Sequence, residues 1–245
     1  MPRTMSPGSV RTTTGAARTA LRLGAVAATG VAAYLASGHH KRLGARPDEV
    51  EAVLPGDELL PDATVIATRA ISIDAPVDYV WPWVVQLGQD KGGFYSYTWA
   101  ENLVGCQITN ADRIVAAWQD PEVGDPFRLH PELALEVAQV DPPRALVVRS
   151  PQEPTAVSLP SSEEELESPW DSETSLSGFD MTWAFIVRPE TSGLGVRLIA
   201  RERYLPHGRA AEAMVASVGV VSAVMTTGTL RGVRGRAERM FHSGV

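Results

Sequence analysis

Two neighbouring segments alternate in character with a period of two, Phe179 to Val187 (FDMTWAFIV) and Val196 to Tyr204, and a helical pattern follows from about Ala210 to Met240. A chain with this ending has to pair strands and lay a long helix against them. Phe179, Met181, Trp183, Phe185 and Val187 share one face of the first segment. Val196, Leu198, Ala200, Glu202 and Tyr204 share one face of the second, with Arg197, Arg201 and Arg203 opposite. Glu202 therefore points inward and has to be paired or protonated. A buried pair with an arginine such as Arg149 is the expected arrangement. Residues 213 to 230 carry no charge, which raises the reading of a membrane span. Glycines and Thr/Ser residues weaken that reading, and Arg231, Arg234, Arg236 and Arg239 end the run like the exposed last turns of a surface helix, so a helix covered by the sheet is expected.

Upstream, Thr64 to Ile73 is β-branched and bounded by Pro61-Asp62 and Asp74-Ala-Pro, which predicts a strand. Val80, Val84 and Leu87 then recur at helical spacing, with Asp74 placed to cap the helix, Pro76 at its start and Pro82 inside it. Short helices are expected over Thr98 to Val104 and Ile114 to Trp118. From Asp125 the runs PFRLH, LALEVAQV and RALVVRS, the last after a turn at Asp141-Pro142-Pro143, predict an antiparallel meander. The fold class is α+β: a curved antiparallel sheet wrapped around a long C-terminal helix.

Charge divides the chain. Residues 1 to 46 hold seven basic groups and no acid, leaving 15 basic against 29 acidic groups beyond. Within that segment Leu23 to Gly38 is sixteen residues without a charge, short of the roughly 20 that a spanning helix needs. Three readings compete for residues 1 to 46: a membrane anchor over about 19 to 38, a soluble or interfacial basic tail, and a cleaved signal peptide. His39-His40-Lys41-Arg42 opposes the last, since positive charge directly after an apolar core resists export. Both flanks are basic, so topology stays open between cytoplasmic and membrane-anchored. Residues 47 to 63, acidic and proline-punctuated, read as an extended lead-in to a domain over 64 to 241. Residues 151 to 178, rich in Pro, Ser and Glu, read as a flexible acidic surface loop within it.

Several functions fall away. A net charge of -7 argues against a surface built for nucleic acid, and the lone Cys106 excludes an internal disulfide or a cysteine zinc site. The five histidines have no ligand spacing, and there is no GxSxG, P-loop or strand-bound GxGxxG. The stretch IDAPVDYVWPWVVQLGQ resembles the opening of the SRPBCC superfamily, which includes START lipid-transfer domains, birch-pollen-allergen-like proteins and polyketide cyclases/dehydrases. The stretch from Gly92 to Leu129, and RLIARERY before the last helix, resemble a less characterised bacterial branch. The resemblance covers about Leu54 to Glu238. It implies a helix-grip fold enclosing a hydrophobic cavity for a lipid, polyketide or similar small apolar ligand, and it implies no cofactor. It carries no fixed catalytic set over to this chain.

Eight of the 16 aromatic residues fall between Tyr79 and Trp118. Trp83, Tyr95, Tyr97, Trp99 and Trp118, with Trp183 and Tyr204 from the strands and Asn102 and Asn110 as polar neighbours, are the candidate ligand-binding residues. Ordinary packing of a loop-rich cap is the competing explanation. Glu101, Asp112 and Glu202 are the candidate proton-transfer groups if the protein is an enzyme of cyclase or dehydrase type, with Tyr95 or Tyr97 polarising a carbonyl. Against this, Asn110 and Asp112 also suit turns and caps. The anchor reading makes one prediction: deleting residues 1 to 38 moves the protein from the membrane to the soluble fraction with its circular dichroism unchanged, and full-length chain recovered in the soluble fraction removes the anchor.

Overall fold

A computed structural model describes residues 34–97, 108–131, 133–151, 178–190, 193 and 195–244. Contacts divide the chain into two compact units, Met1–His40 and Lys41–Val245. In the described part of the first, the Ser37 hydroxyl donates to the Tyr34 carbonyl. Most of the expected anchor, the expected helix over Thr98 to Val104 and nearly all of the acidic loop lie outside the described residues.

The second unit opens with helix α1 (Pro47–Glu51) and a 3-10 turn at Asp57–Leu59, followed by strand β1 (Val65–Ile73) and helix α2 (Val77–Val85). A 3-10 turn at Ala116–Trp118 precedes β2 (Pro126–His130), β3 (Leu133–Asp141), β4 (Ala145–Arg149), β5 (Phe179–Pro189) and β6 (Val196–Pro206), and helix α3 (Arg209–Ser243) closes the chain. The strands form one antiparallel sheet in the order β1-β6-β5-β4-β3-β2, curved and unclosed, with α3 against β1, β6 and α2. This is the helix-grip arrangement. The turn expected at Asp141-Pro142-Pro143 joins β3 to β4. Asp74 does not cap α2: Pro76 occupies the N-cap position, and the Asp74 N–H goes to a Glu238 carboxylate oxygen of α3 at 3.0 Å.

The sheet is buried on both faces. Its concave face joins Phe185, Leu198 and Ala200 to Val80 and Val84 of α2 and to Leu230, Val233 and Ala237 of α3. Its convex face carries a smaller apolar cluster, Ala70, Val147, Ala184, Ile186 and Ile199, capped by Leu54. The acidic segment expected to be extended is therefore packed, because the outward arginines of β6 need acceptors. Arg197 donates from Nε and Nη2 to the Glu49 carboxylate at 2.6 and 2.8 Å. Arg201 donates to Asp57 and the Ala52 carbonyl, each at 2.7 Å, and to the carbonyls of Glu49 and Val50. Arg203 donates to the Leu60 carbonyl. Burial opposes the charge on Glu49, but the Arg197 hydrogen bond and the Arg46 N–H outweigh it and hold its pKa below the usual carboxylate value.

Helix α3 is covered by the sheet only in part. Before Ala223 its buried residues are Ala211 and Val215, whereas Met214 is 50% and Val221 63% exposed. Its second half seats a loop. A Cβ at Gly228 would lie 2.8 Å from Ser96 Cβ, and one at Gly232 would overlap the Tyr95 carbonyl oxygen. Alanine normally stabilises a helix interior by about 1 kcal/mol over glycine. Here the sign reverses: Gly232→Ala is expected to lower stability by about 2 kcal/mol in urea unfolding, the usual cost of overpacking.

Candidate functional site

Strand β6 places Glu202 on the concave face, as its phase in the sequence requires, and α3 supplies the polar groups that meet it. Glu202 Oε1 accepts from Arg69 Nη1 at 2.7 Å and from Thr226 Oγ1 at 2.6 Å. Its Oε2 accepts from the Tyr204 hydroxyl at 2.9 Å and from Ser222 Oγ at 2.5 Å. Arg69 is fully buried and Glu202 is 2% exposed. Four donors occupy the roughly four lone-pair positions of a carboxylate, so no oxygen position is left over for a proton from a substrate.

The partner is Arg69 of β1, not Arg149. Arg149 stands opposite Thr182, which stands opposite Arg203, so all three share the convex face. From there it cannot reach Glu202 and instead pairs with Glu136, its cross-strand neighbour, at 2.6 Å. Arg69, Ser222 and Thr226 were missed by pattern reading. The available signals were an arginine on the inward phase of Ala67, Ile71 and Ile73, and two hydroxyls four residues apart in a run of Ala and Val.

Trp183 faces Glu202 directly across the β5–β6 pairing. It stacks on Phe94 at 6.1 Å and meets Phe127 edge-on at 6.2 Å and Phe185 at 4.6 Å. Phe179 meets Tyr204 edge-on at 5.8 Å. The inner wall is thus aromatic, with Trp183 and Tyr204 of the candidate set built into it. The indole Nε1 of Trp183 and the hydroxyl of Thr229 are buried without a hydrogen-bond partner, as is Nε1 of Trp83. Each unmade buried bond costs about 1–3 kcal/mol.

Trp83, Tyr95 and Asn110 form a second group. Trp83 meets Tyr95 edge-on at 5.7 Å, and the Asn110 side chain accepts the Tyr95 N–H at 2.6 Å. That bond holds Tyr95 in the left-handed region, at φ 57°. The fully buried Gln86 donates to the Tyr95 hydroxyl at 2.9 Å, and the Arg236 guanidinium lies 4.3 Å from the Tyr95 ring centre. A Cβ at Gly92 would come within 2.5 Å of the same hydroxyl, so the phenol is walled in rather than presented to a ligand. Burial pushes its pKa up to about 12, against the pull of Gln86 and Arg236. Burial and the adjacent Glu202 charge likewise drive Tyr204 well above the ordinary tyrosine value, so both phenols stay protonated at neutral pH.

The remaining candidates are apart. Asp112 is exposed, and Tyr97, 37% exposed, lies over Gly228. Trp118 lines an open surface cleft of about 250 Å³ with Asp90, Lys91, Asp120 and Asp125. Trp99, Glu101 and Asn102 lie outside the described residues.

No protein-family model matches the chain, and no curated protein matches it. Solved structures do. A hypothetical protein from Helicobacter pylori is 10% identical with a TM-score of 0.42, over 76% of this chain and 95% of that one. The di-domain ARO/CYC StfQ from the steffimycin biosynthetic pathway is 13% identical with a TM-score of 0.37, over 77% of this chain and 55% of that one. A major latex protein family member from Arabidopsis thaliana is 14% identical with a TM-score of 0.31, over 68% of this chain and 94% of that one.

Breaking the inner ion pair tests its architecture. Glu202→Gln leaves the Arg69 charge buried without its counter-charge and is expected to cost about 3 kcal/mol in urea unfolding. The double replacement Arg69→Met/Glu202→Gln is expected to recover part of that loss, because it removes both charges together while the amide oxygen still accepts from the neighbouring hydroxyls.

Proposed function

We propose that this protein binds a small hydrophobic molecule between the concave face of the sheet and helix α3. The observation that carries the reading is the aromatic inner wall of Phe94, Phe127, Trp183 and Phe185, in which the Trp183 indole N–H is buried without an acceptor. Aromatic rings supply broad apolar contact, and a buried donor without a partner is the kind of group that fixes a ligand's orientation. The likenesses to StfQ and to the Arabidopsis protein are too distant to add to the argument. The basic segment at residues 1 to 46 extends the reading to a membrane-anchored form, which the deletion above tests.

The catalytic alternative, a cyclase- or dehydrase-like enzyme, needs a carboxylate that exchanges protons with its substrate. Glu202 accepts from four donors, Asp112 is exposed, and Tyr95 is enclosed by Gln86 and Gly92. These contacts favour a carrier over a catalyst among the described groups. Native mass spectrometry of the purified full chain, followed by organic extraction, is expected to show a defined adduct that leaves with the solvent. A single apo mass in every preparation would assign the aromatic wall to core packing instead.

A further inference from the structure

The polar atoms of the inner wall are unevenly matched. Glu202, the one carboxylate among the described residues that reaches this wall, is taken up by Arg69, Tyr204, Ser222 and Thr226. Two donors beside it are not taken up at all. Trp183, cross-strand to Glu202, is 9% exposed and its Nε1 has no partner. Thr229, 1% exposed and three residues beyond the Thr226 that donates to Glu202, has no partner for its hydroxyl. Both stand on elements that flank the carboxylate, yet neither uses it. The Arg69–Glu202 pair is balanced within itself, so an ionised ligand group gains no counter-charge from it.

We infer that the site selects a neutral, largely apolar molecule carrying a carbonyl-type acceptor, which Trp183 Nε1–H and the Thr229 hydroxyl hydrogen-bond. This inference rests on the ligand-binding reading above and specifies its chemistry. A ligand whose polar group is a donor, such as an amine, finds the neighbouring carboxylate occupied. A hydrocarbon of the same shape fills the aromatic wall but leaves both donors unmade.

The test compares 2-acetylnaphthalene with 2-ethylnaphthalene, which replaces the carbonyl by a methylene, in equilibrium dialysis against the full chain. The ketone is expected to bind about three- to ten-fold more tightly, the preference that one net hydrogen bond confers. Thr229→Val is expected to shrink that preference while leaving the affinity for 2-ethylnaphthalene within two-fold, and Trp183→Phe is expected to shrink the ratio of the two affinities whatever the smaller ring does to each of them. Thr229→Val is nearly isosteric and keeps the test alive if the Trp183 variant fails to fold, which circular dichroism reads directly. Equal affinity of the wild type for both probes, or variants that weaken both by one factor, overturns the acceptor inference and leaves hydrophobic binding standing. Failure of both probes to bind overturns the binding reading and this inference with it.

Discussion

Strand β6 is charged on both faces and buried on both faces, and the rest of the second unit is arranged around that conflict. Val196 to Tyr204 are all buried, yet the stretch includes Arg197, Arg201, Glu202 and Arg203. A buried charge persists only when it is paired and its hydrogen-bonding capacity is met. On the concave side one carboxylate recruits an arginine from β1 and two hydroxyls from α3. On the convex side three arginines recruit Glu49, Asp57 and a series of backbone carbonyls from residues 44 to 61. The strap over the sheet and the position of the long helix are two answers to the same electrostatic demand.

That demand fixes α3 at its middle. Ser222 and Thr226 tie it to Glu202, and the close seating of the Tyr95–Tyr97 loop at Gly228 and Gly232 ties it one to two turns further on. Before Ser222 the helix has few buried residues to hold it, and its Met214, Val220 and Val221 are exposed. Local opening draws on segments with the fewest buried contacts. The hold on α3 is therefore uneven along its length, concentrated from Ser222 onward, where the polar anchor and the loop contacts lie.

Periodicity made half of this legible. The period of two in FDMTWAFIV and in Val196 to Tyr204 gave the correct inward phase for Trp183, Glu202 and Tyr204, and the uncharged run from 213 to 230 gave the helix that crosses them. Phase within one strand says nothing about which strands are neighbours, and this is why Arg149 was the wrong partner. Only the order β1-β6-β5 brings Arg69 beside Glu202, and only the register puts Arg149 on the opposite face. The strap was illegible for a related reason. An acidic, proline-rich segment looks solvated until the arginines it answers, about 140 residues away, are seen to lie on a buried face. Gln86 and Arg236, which hold Tyr95, were hidden because each is an ordinary polar residue until the loop folds back on the helix.

The same accounting separates binding from catalysis. A proton-transfer group has to keep a lone pair or a proton for its substrate, and a carboxylate that closes four hydrogen bonds within the fold has spent that capacity on holding the helix. A recognition group has the opposite signature: it is preorganised by its neighbours and left with one polar atom unmatched. Trp183 fits the second description, fixed by three aromatic rings while its N–H stays without an acceptor. Glu202 and Trp183 face each other across one strand pair, so a single patch of sheet carries both signatures, a carboxylate whose acceptor positions are filled in securing α3 and an indole N–H that stays unmatched.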